Sequence, residues 1–450
     1  MGQASQAPSG TRDLLADEVR RRKAAFDTLA EIFESFGFDP LETPAFENLD
    51  VITGKYGEEA SKLVFKILKR GVHEASGQPD LALRYDHTVP LARVIGSHGG
   101  KLPSPYKRYA IGPVWRADRP QEGRFREFVQ CDIDTVGSHS PLADAEVVLA
   151  LAQCLDALGV HDFTFMVNSR KALYALLDVY CIDPANGPGV LGTLDKLDKI
   201  SADAVAKELA SERGISPDVA ESLVADVAAD SPNRVRERLE ATEQGKAGLA
   251  EIDTLIRLTT SAGLARERIV YTPRMVRGLD YYTGAIYEVV AAGFPGSIAA
   301  GGRYDHLVAT LGGPDVPACG GSIGIERILA IQGSQLTEPR GLDVALTVIG
   351  GEDDVMRLAA ELRSKGKRVG TYLGASTKLG RQLKWAADQK ARIAVLYGPD
   401  ERTAGEVTVR NMLSGEQTRV PLAEAASYLC EALEESGLRP DQEHLGADLR

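Results

Sequence analysis

The sequence has few of the residues that stabilise secreted or membrane-embedded folds. Its five cysteines are scattered and odd in number, and they include no CxxC pair. This argues against a disulfide framework or a zinc knuckle and favours a reducing compartment. No apolar run approaches the roughly 20 residues that span a bilayer, and the opening MGQASQAPSG lacks the apolar core of a signal peptide. We therefore expect a cytoplasmic protein with no membrane contact.

Several common catalytic motifs are also missing. There is no GxxxxGK[ST] phosphate loop, no GxGxxG placed between a strand and a helix, no GxSxG elbow and no HExxH. The seven histidines form no HxxxH or HxH pair, so we expect no transition metal fixed by the protein alone. Composition is that of an ordinary globular protein, with 44% hydrophobic and 26% charged residues, and 450 residues suffice for two or three domains.

The net charge of −12 is unevenly distributed. Residues 340–424 contain 14 Lys/Arg against 11 Asp/Glu, a local charge of +3, whereas residues 425–450 contain two against six. A mildly basic segment is compatible with a local polyanion contact and equally with an ordinary solvated surface.

The periodicity predicts a helix over residues 17–36, ended by Gly37, then a short strand at 41–44. Two longer strands, at 107–118 and 125–137, flank the loop RPQEGR. In the second strand Gln130, Asp132 and Asp134 share one face. This row is either a solvated sheet face or the floor of a polar pocket. The nearby arginines favour an anionic ligand; they are Arg116, Arg119, Arg124 and Arg126.

Helical periodicity predicts a helical insertion over residues 170–263, and alternating strands and helices predict a small α/β domain from residue 341. Between them lies RGLDYYTG, residues 277–284, in which glycines flank one arginine and two tyrosines. Strand parity would place Tyr281 and Tyr282 on opposite faces. Guanidinium groups suit bidentate phosphate binding, so four arginines could together hold a triphosphate: Arg116, Arg124, Arg277 and Arg327. Three carboxylates could bind an ammonium group or a magnesium ion: Glu127, Asp86 and Asp134.

At these residues the chain resembles the class II aminoacyl-tRNA synthetases, and specifically the histidyl-tRNA synthetases. The class-defining regions have counterparts in the helix and strand ending at Pro44, the hairpin from Arg116 to Asp134, and GIER at Arg327. RGLDYYTG and AAGGRYD resemble the segments that distinguish the histidine enzymes, and LRYDHTVPLAR (83–93) resembles their amino-acid loop. The resemblance covers residues 10–433.

The resemblance implies an α+β catalytic domain built on an antiparallel sheet, of the class II synthetase type, at residues 1–335. The helical insertion at 170–263 lies within it, and an α/β anticodon-binding domain follows at 341–430. An acidic polar tail at 431–450 completes the chain. The family also implies a homodimer formed through the first helix and strand.

The implied activity is a ligase reaction in which L-histidine and ATP, with Mg²⁺, give histidyl-adenylate before transfer to tRNA(His). Asp86, Thr88 and Gln130 would hold the ammonium group, which offers three N–H donors. Asp134 and Tyr282 would bind the imidazole, with Tyr304 lining the pocket. The resemblance assigns ATP binding to four residues: Arg116, Arg124, Glu127 and Arg327. Arg277, with Arg116, would be catalytic, stabilising charge on the α-phosphate.

The alternatives are a non-catalytic synthetase paralogue, such as a regulatory subunit of ATP phosphoribosyltransferase, and a class II enzyme for another amino acid. Intact RGLDYYTG and Arg327, with the C-terminal α/β segment, oppose the first alternative, and RGLDYYTG opposes the second. For single residues, His87 is either a satisfied histidine beside the pocket or a direct ligand. Asp132 could be a structural partner for an arginine, Tyr281 a core or sheet residue, and Cys131 a packing residue.

Overall fold

The computed structural model describes residues 6–53, 62–71, 76–120, 123–229, 232–276, 281–294, 296–332 and 341–435. The chain forms two compact units, one up to residue 337 and one from residue 338. Within the described ranges, every helix is too short or too polar to cross a membrane. The five cysteines are free thiols.

The first unit contains eleven strands and twelve helices among the described residues. The strands are β1 (Asp39–Pro40), β2 (Phe46–Asn48), β3 (Lys66–Leu68), β4 (Pro79–Leu83), β5 (Tyr106–Trp115), β6 (Glu127–Val136), β7 (Phe163–Ser169), β8 (Ile269–Tyr271), β9 (Ala285–Ala291), β10 (Ala299–Arg303) and β11 (Ala318–Ile323). The helices are α1 (Ala16–Ser35), α2 (Leu49–Ile52), α3 (Thr88–His98), α4 (Pro141–Ala157), α5 (Arg170–Val179), α6 (Gly187–Leu194), α7 (Ala202–Arg213), α8 (Pro217–Val227), α9 (Asn233–Glu240), α10 (Glu243–Ser261), α11 (Leu307–Thr310) and α12 (Ile325–Gln332).

Eight of these strands form one sheet in the order β1-β5-β6-β11-β10-β9-β7-β8, as far as the structure describes the chain. The outer pairs β1–β5 and β7–β8 are parallel and all inner pairs are antiparallel. Helix α4 packs on one face, where its Leu151 and Leu155 are fully buried in the main hydrophobic core. The even-numbered residues of β6 lie on the other face of the sheet, which this helix does not cover.

Helix α1 follows from its sequence pattern. Ala25, Leu29 and Phe33 lie on one buried face at helical spacing, and acidic residues occupy the first turn, where they favour the helix dipole. Gly37, at φ +77°, ends the helix as predicted. Arg22 shares the buried face, and its guanidinium lies 2.6 Å from the carboxylate of Glu326 on α12.

The predicted strand at 41–44 is wrong. Pairing on β5 stops after Pro40, apart from one hydrogen bond of 2.9 Å from the Leu41 amide to the Tyr109 carbonyl. Pro44 has no N–H to donate to a ladder, and the chain next pairs as β2, in a separate three-stranded sheet with the order β2-β4-β3.

The second unit has five strands in the order β13-β12-β14-β15-β16, counted over its described residues. They are β12 (Val344–Leu346), β13 (Val369–Thr371), β14 (Ile393–Leu396), β15 (Glu406–Asn411) and β16 (Gln417–Pro421). Its helices are α13 (Glu352–Ser364), α14 (Leu379–Asp388), α15 (Pro399–Ala404) and α16 (Ala425–Glu435). β12, β13 and β14 are parallel, and β15 and β16 form an antiparallel hairpin. The predicted fold class, a largely antiparallel α+β unit followed by an α/β unit, is confirmed.

Candidate active site

The polar row on β6 is buried. Asp132 and Asp134 are 3% and 2% exposed. In the sheet register Asp134 lies between Arg108 of β5 and Gly320 of β11, and Gln130 lies opposite Gly112. Arg108 is itself 0% exposed. A solvated sheet face is thereby excluded, and the row forms the floor of a polar site.

Asp134 is held at this floor by one ion pair and one hydrogen bond. Nη2 of Arg108 lies 2.6 Å from its Oδ2, and the Tyr304 hydroxyl donates to its Oδ1. Gly320 makes room for the carboxylate, because a Cβ at that position would lie 2.1 Å from Oδ1. Burial raises the pKa of Asp134, while Arg108 and the Tyr304 hydrogen bond act in the opposite direction. The carboxylate is thus fixed in place, and both contacts favour its ionised form.

Three tyrosines cover this floor. The ring centroid of Tyr281 lies 5.0 Å from that of Tyr282 and 5.6 Å from that of Tyr304. Gly302 of β10 admits the Tyr282 ring, since a Cβ there would lie 3.0 Å from its Cδ1. The expected separation of Tyr281 and Tyr282 onto opposite faces is wrong. Strand β9 begins only at Ala285, so parity does not apply to these two residues.

The loop before α3 lies beside the floor. Oδ1 of Asp86 accepts hydrogen bonds from the Thr88 and Val89 amides, both at 3.0 Å, and so caps the helix. Tyr281 packs against the hydrophobic cluster that contains Tyr85 and Val89, which lie on the two sides of this loop. The loop therefore adjoins the tyrosine cluster.

His87 is buried, and its Nε2 lies 3.1 Å from the Gly112 carbonyl. Burial first, then Arg108 and Arg84, lowers its pKa to about 3. The ring is therefore neutral at pH 7, and Nε2 donates because a carbonyl only accepts. The structure therefore supports His87 as a hydrogen-bonded histidine beside the pocket and not as a direct ligand.

The predicted ATP-binding residues lie around the β5–β6 hairpin and α12. Nε of Arg116 donates to the Tyr85 carbonyl at 3.1 Å, and its guanidinium lies 4.2 Å from the Tyr85 ring centroid. Arg124 pairs with Asp118 at 2.8 Å. Glu127 is exposed at the start of β6.

The fourth predicted ATP-binding residue, Arg327, lies on α12. Its guanidinium group donates to the Ser297 carbonyl, and a Cβ on Gly123 would lie 3.9 Å from the Cγ of Arg327. The hairpin loop therefore approaches α12.

Arg277 lies outside the described residues, as do residues 278–280. Its predicted catalytic role stays a prediction. The described part of the same segment is tied to AAGGRYD, because the Thr283 amide donates to the Arg303 carbonyl at 2.8 Å and the Asp305 amide donates to the Thr283 hydroxyl at 3.1 Å. The two segments that distinguish the histidine enzymes thus lie side by side.

Arg108 is the site residue that sequence reasoning missed. A partial signal was present: Arg108 lies on the strand predicted to pair with the acidic row, although pairing the predicted strand ends, 118 with 125, would place it opposite Thr135, one residue from its observed partner Asp134. An arginine facing an acidic row in an antiparallel pair predicts a cross-strand ion pair.

Comparison with known proteins supports the resemblance. A family model described as histidyl-tRNA synthetase matches residues 10–328, and one described as an anticodon binding domain matches residues 343–432. The histidine–tRNA ligase of Gloeobacter violaceus is 38% identical over 93% of this chain and 97% of its own. That of Cereibacter sphaeroides is 38% identical over 97% and 94%.

A solved structure, the histidyl-tRNA synthetase of Nostoc sp. PCC 7120, superposes with a TM-score of 0.76 at 30% identity, covering 95% of this chain and 99% of that one. A Bacillus halodurans protein described as an ATP phosphoribosyltransferase regulatory subunit/histidyl-tRNA synthetase shares the fold, with a TM-score of 0.71 at 23% identity. At that identity only the fold is shown.

Proposed function

The chain belongs to the histidyl-tRNA synthetase family, and from that premise we propose how its residues perform the reaction. The activity is histidine–tRNA ligation: ATP activates histidine to histidyl-adenylate with release of pyrophosphate, and the histidyl group then passes to tRNA. The near full-length similarity to histidine–tRNA ligases supports this activity over a non-catalytic paralogue. One observation carries the site assignment: the buried hydrogen-bonded pair of Asp134 and Tyr304, with Tyr281 and Tyr282 packed beside it.

Histidine is proposed to lie on the floor formed by β6. Asp134 accepts a ring N–H of the imidazole, and the hydroxyl of Tyr282 contacts the ring from above. Burial raises the pKa of Tyr282, ahead of the nearby Asp134 and Asp132, so its hydroxyl stays protonated. A buried site with oriented polar groups rejects analogues that leave those groups unpaired. Tyr304 fixes Asp134 in this arrangement.

The ammonium group is proposed to bind Gln130, Asp86 and Thr88. Nε2 of Gln130 donates to Ser322 at 3.2 Å, which fixes the carboxamide. Its Oε1 is buried and has no hydrogen-bond partner among the described residues. A buried acceptor of this kind is costly unless a ligand satisfies it, and an ammonium group supplies three donors.

ATP is proposed to bind along the hairpin, with Arg116, Arg124 and Arg327 contacting phosphates. Mg²⁺ would enter as the ATP complex, with Glu127 near the nucleotide or its metal, since oxygen ligands suit Mg²⁺ and the phosphates supply most of them. Arg277 is proposed to contact the α-phosphate, and Arg116 to assist it. In-line positioning and charge neutralisation then suffice for adenylate formation.

The partners proposed beyond histidine and ATP are tRNA(His), bound in part by the second unit, and a second copy of the chain. The dimer is proposed from the family alone, through the first helix and strand. Sedimentation velocity tests the dimer. Substrates of this kind, and five free thiols, support a cytoplasmic location.

The test is ATP–pyrophosphate exchange in the presence of each amino acid, followed by charging of tRNA. We expect exchange with L-histidine alone, and charging of tRNA(His). Asp134→Asn should raise the KM for histidine with little change in the KM for ATP. If histidine does not stimulate pyrophosphate exchange, the proposed activity is wrong.

A further inference from the structure

We propose that Arg108 is a positioning residue for histidine recognition, which orients the Asp134 carboxylate and keeps it an acceptor. The inference rests on the proposed role of Asp134, and it adds a residue that contacts no substrate. It concerns the affinity for histidine, whereas the four predicted arginines concern ATP.

The geometry links Arg108 to both halves of the histidine site. Its Nη2 lies 2.6 Å from Oδ2 of Asp134 and donates to the His87 carbonyl at 3.1 Å. The first contact lies at the imidazole floor. The second lies on the loop between Asp86 and Thr88, where the ammonium group is proposed to bind. One guanidinium group therefore fixes the distance between the two subsites.

The remaining donors of Arg108 identify its second role. Nε and Nη1 are buried without a hydrogen-bond partner among the described residues. The acidic groups that act on this guanidinium group are Asp134, then Asp132 and Asp86, all buried beside it. A fully buried guanidinium group is costly unless carboxylates compensate it. Arg108 therefore belongs to a buried group with these three aspartates.

The charge of Arg108 acts on the acceptor itself. Burial raises the pKa of both aspartates, and Arg108 opposes that rise in each. Without the guanidinium group, two buried carboxylates on one face would repel each other and share a proton. A protonated Asp134 would offer a donor where the imidazole N–H needs an acceptor.

The experiment compares wild-type protein with Arg108→Met, which keeps much of the volume, and Arg108→Lys, which keeps the charge. Histidine binding is measured by equilibrium dialysis, and the KM values for histidine and ATP by pyrophosphate exchange. For Arg108→Met we expect histidine affinity to fall about 10- to 100-fold, the range for a lost hydrogen bond to a charged group. The KM for ATP should stay within about threefold, and Arg108→Lys should restore part of the affinity.

Arg303→Met is the matched control. Arg303 is 6% exposed and pairs with Asp144, so it is also a buried arginine–aspartate pair in the same sheet. It lies in register with Cys319 and so on the face opposite Asp134. We expect it to lower stability without changing histidine affinity. An equal loss of histidine affinity in Arg303→Met would overturn the proposal, because any lost buried pair would then have the same effect.

A double variant tests whether Arg108 acts through Asp134. In the Asp134→Asn background, Arg108→Met should weaken histidine binding clearly less than it does in wild type, because the effect through Asp134 is already lost and only the contact with the His87 carbonyl remains. Full additivity would overturn the proposal. If Arg108→Met does not fold, Arg108→Lys must still show a histidine-specific loss, and an unchanged affinity there rejects the idea. If the wild-type protein itself shows no histidine-dependent exchange, the proposed function is wrong, which is a different outcome from a failure of the role proposed for Arg108.

Discussion

At the residue scale, Asp132 gives the site a pH-dependent component of stability. Burial raises its pKa to about 7, with Asp134 adding to the rise and Arg108 opposing it. The unfolded carboxyl titrates at about 3.9. Between about pH 4 and 7 the folded state therefore binds more protons at this position than the unfolded state. The stability contributed by Asp132 falls as pH rises through that window and is constant above it.

We therefore predict that Asp132→Asn changes the pH dependence of unfolding. Asparagine cannot ionise, so the melting temperature of the variant relative to wild type should rise from pH 5 to pH 8. Differential scanning calorimetry at four pH values measures this difference. A constant difference across the range would contradict the prediction, because the carboxyl would then titrate alike in both states.

The tyrosine cluster leads to a second prediction. Tyr282→Phe should chiefly harm selection for the imidazole, lowering kcat/KM for histidine about 3- to 10-fold, as for one lost neutral hydrogen bond. The sequence alone predicted that Tyr281→Phe would matter less. In the structure the Tyr281 ring packs against the rings of Tyr282 and Tyr304, and phenylalanine keeps that ring, so the smaller loss at Tyr281 is still expected. Steady-state exchange with both variants decides the order; a larger loss at Tyr281 would reverse the assignment.

Arg277 yields a prediction that rests on the sequence. Arg277→Ala should cut adenylate formation about 10²- to 10³-fold, as for loss of one preorganised donor to the transition state. Histidine binding should weaken much less, because the floor on β6 remains. Single-turnover exchange and equilibrium dialysis separate the two effects. A folded variant with near-normal turnover would remove Arg277 from the catalytic role.

Much of the site was predictable because its residues lie on regular strands. Alternation in β6 placed Gln130, Asp132 and Asp134 on one face, but Arg108 was missed because its pairing depends on a register one residue away from that of the predicted strand ends. Tyr281 was misplaced because the alternation rule fails before a strand begins. Whether the polar row is buried depends on what packs over it, and Tyr304 and Tyr282 come from segments far away in sequence. Periodicity holds no information about such contacts.

At the scale of elements, Glu326 joins three parts of the catalytic unit. Its carboxylate accepts hydrogen bonds from Arg22 on α1 at 2.6 and 2.7 Å, from Arg12 at 2.8 Å and from the Val129 amide on β6 at 3.2 Å. The carboxylate therefore fixes α12, and with it Arg327, against the first helix and the floor strand. The sequence pattern predicted α1, but an ion pair between residues 304 positions apart leaves no local signal.

We predict that Glu326→Gln lowers the free energy of unfolding by about 3–5 kcal/mol, because it leaves the buried Arg22 without its counter-charge. Urea denaturation measures the change. Glu18→Gln is the matched control, since Glu18 also pairs with Arg12, at 3.2 Å, but its side chain is 34% exposed. The control should cost less than about 1 kcal/mol. Equal losses in both variants would mean that burial of the pair is not what matters.

At the scale of the whole molecule, chemistry and charge are divided between the two units. Every residue with a proposed role in activation lies in the first unit, before residue 337. The second unit contains the segment of net charge +3 in a chain of net charge −12. Its described surface includes Leu373, 92% exposed, next to the ring pair of Tyr372 and Trp385 with centroids 5.5 Å apart. Basic groups position RNA through phosphates, and exposed aromatic and apolar groups suit unstacked bases.

The last prediction concerns removal of the second unit. A chain ending at residue 337 should keep histidine-dependent pyrophosphate exchange within about threefold of wild type, while charging of tRNA(His) falls about 100-fold or more. The physical reason is that phosphate contacts dominate RNA affinity and are lost together with the basic segment. For the same reason, charging by the full chain should weaken as salt rises, and exchange should weaken much less. Sedimentation and circular dichroism must first show that the shortened chain is folded and has the same oligomeric state as wild type. Given that, equal losses of exchange and charging would mean that the second unit supports the active site, and its assignment to tRNA binding would be wrong.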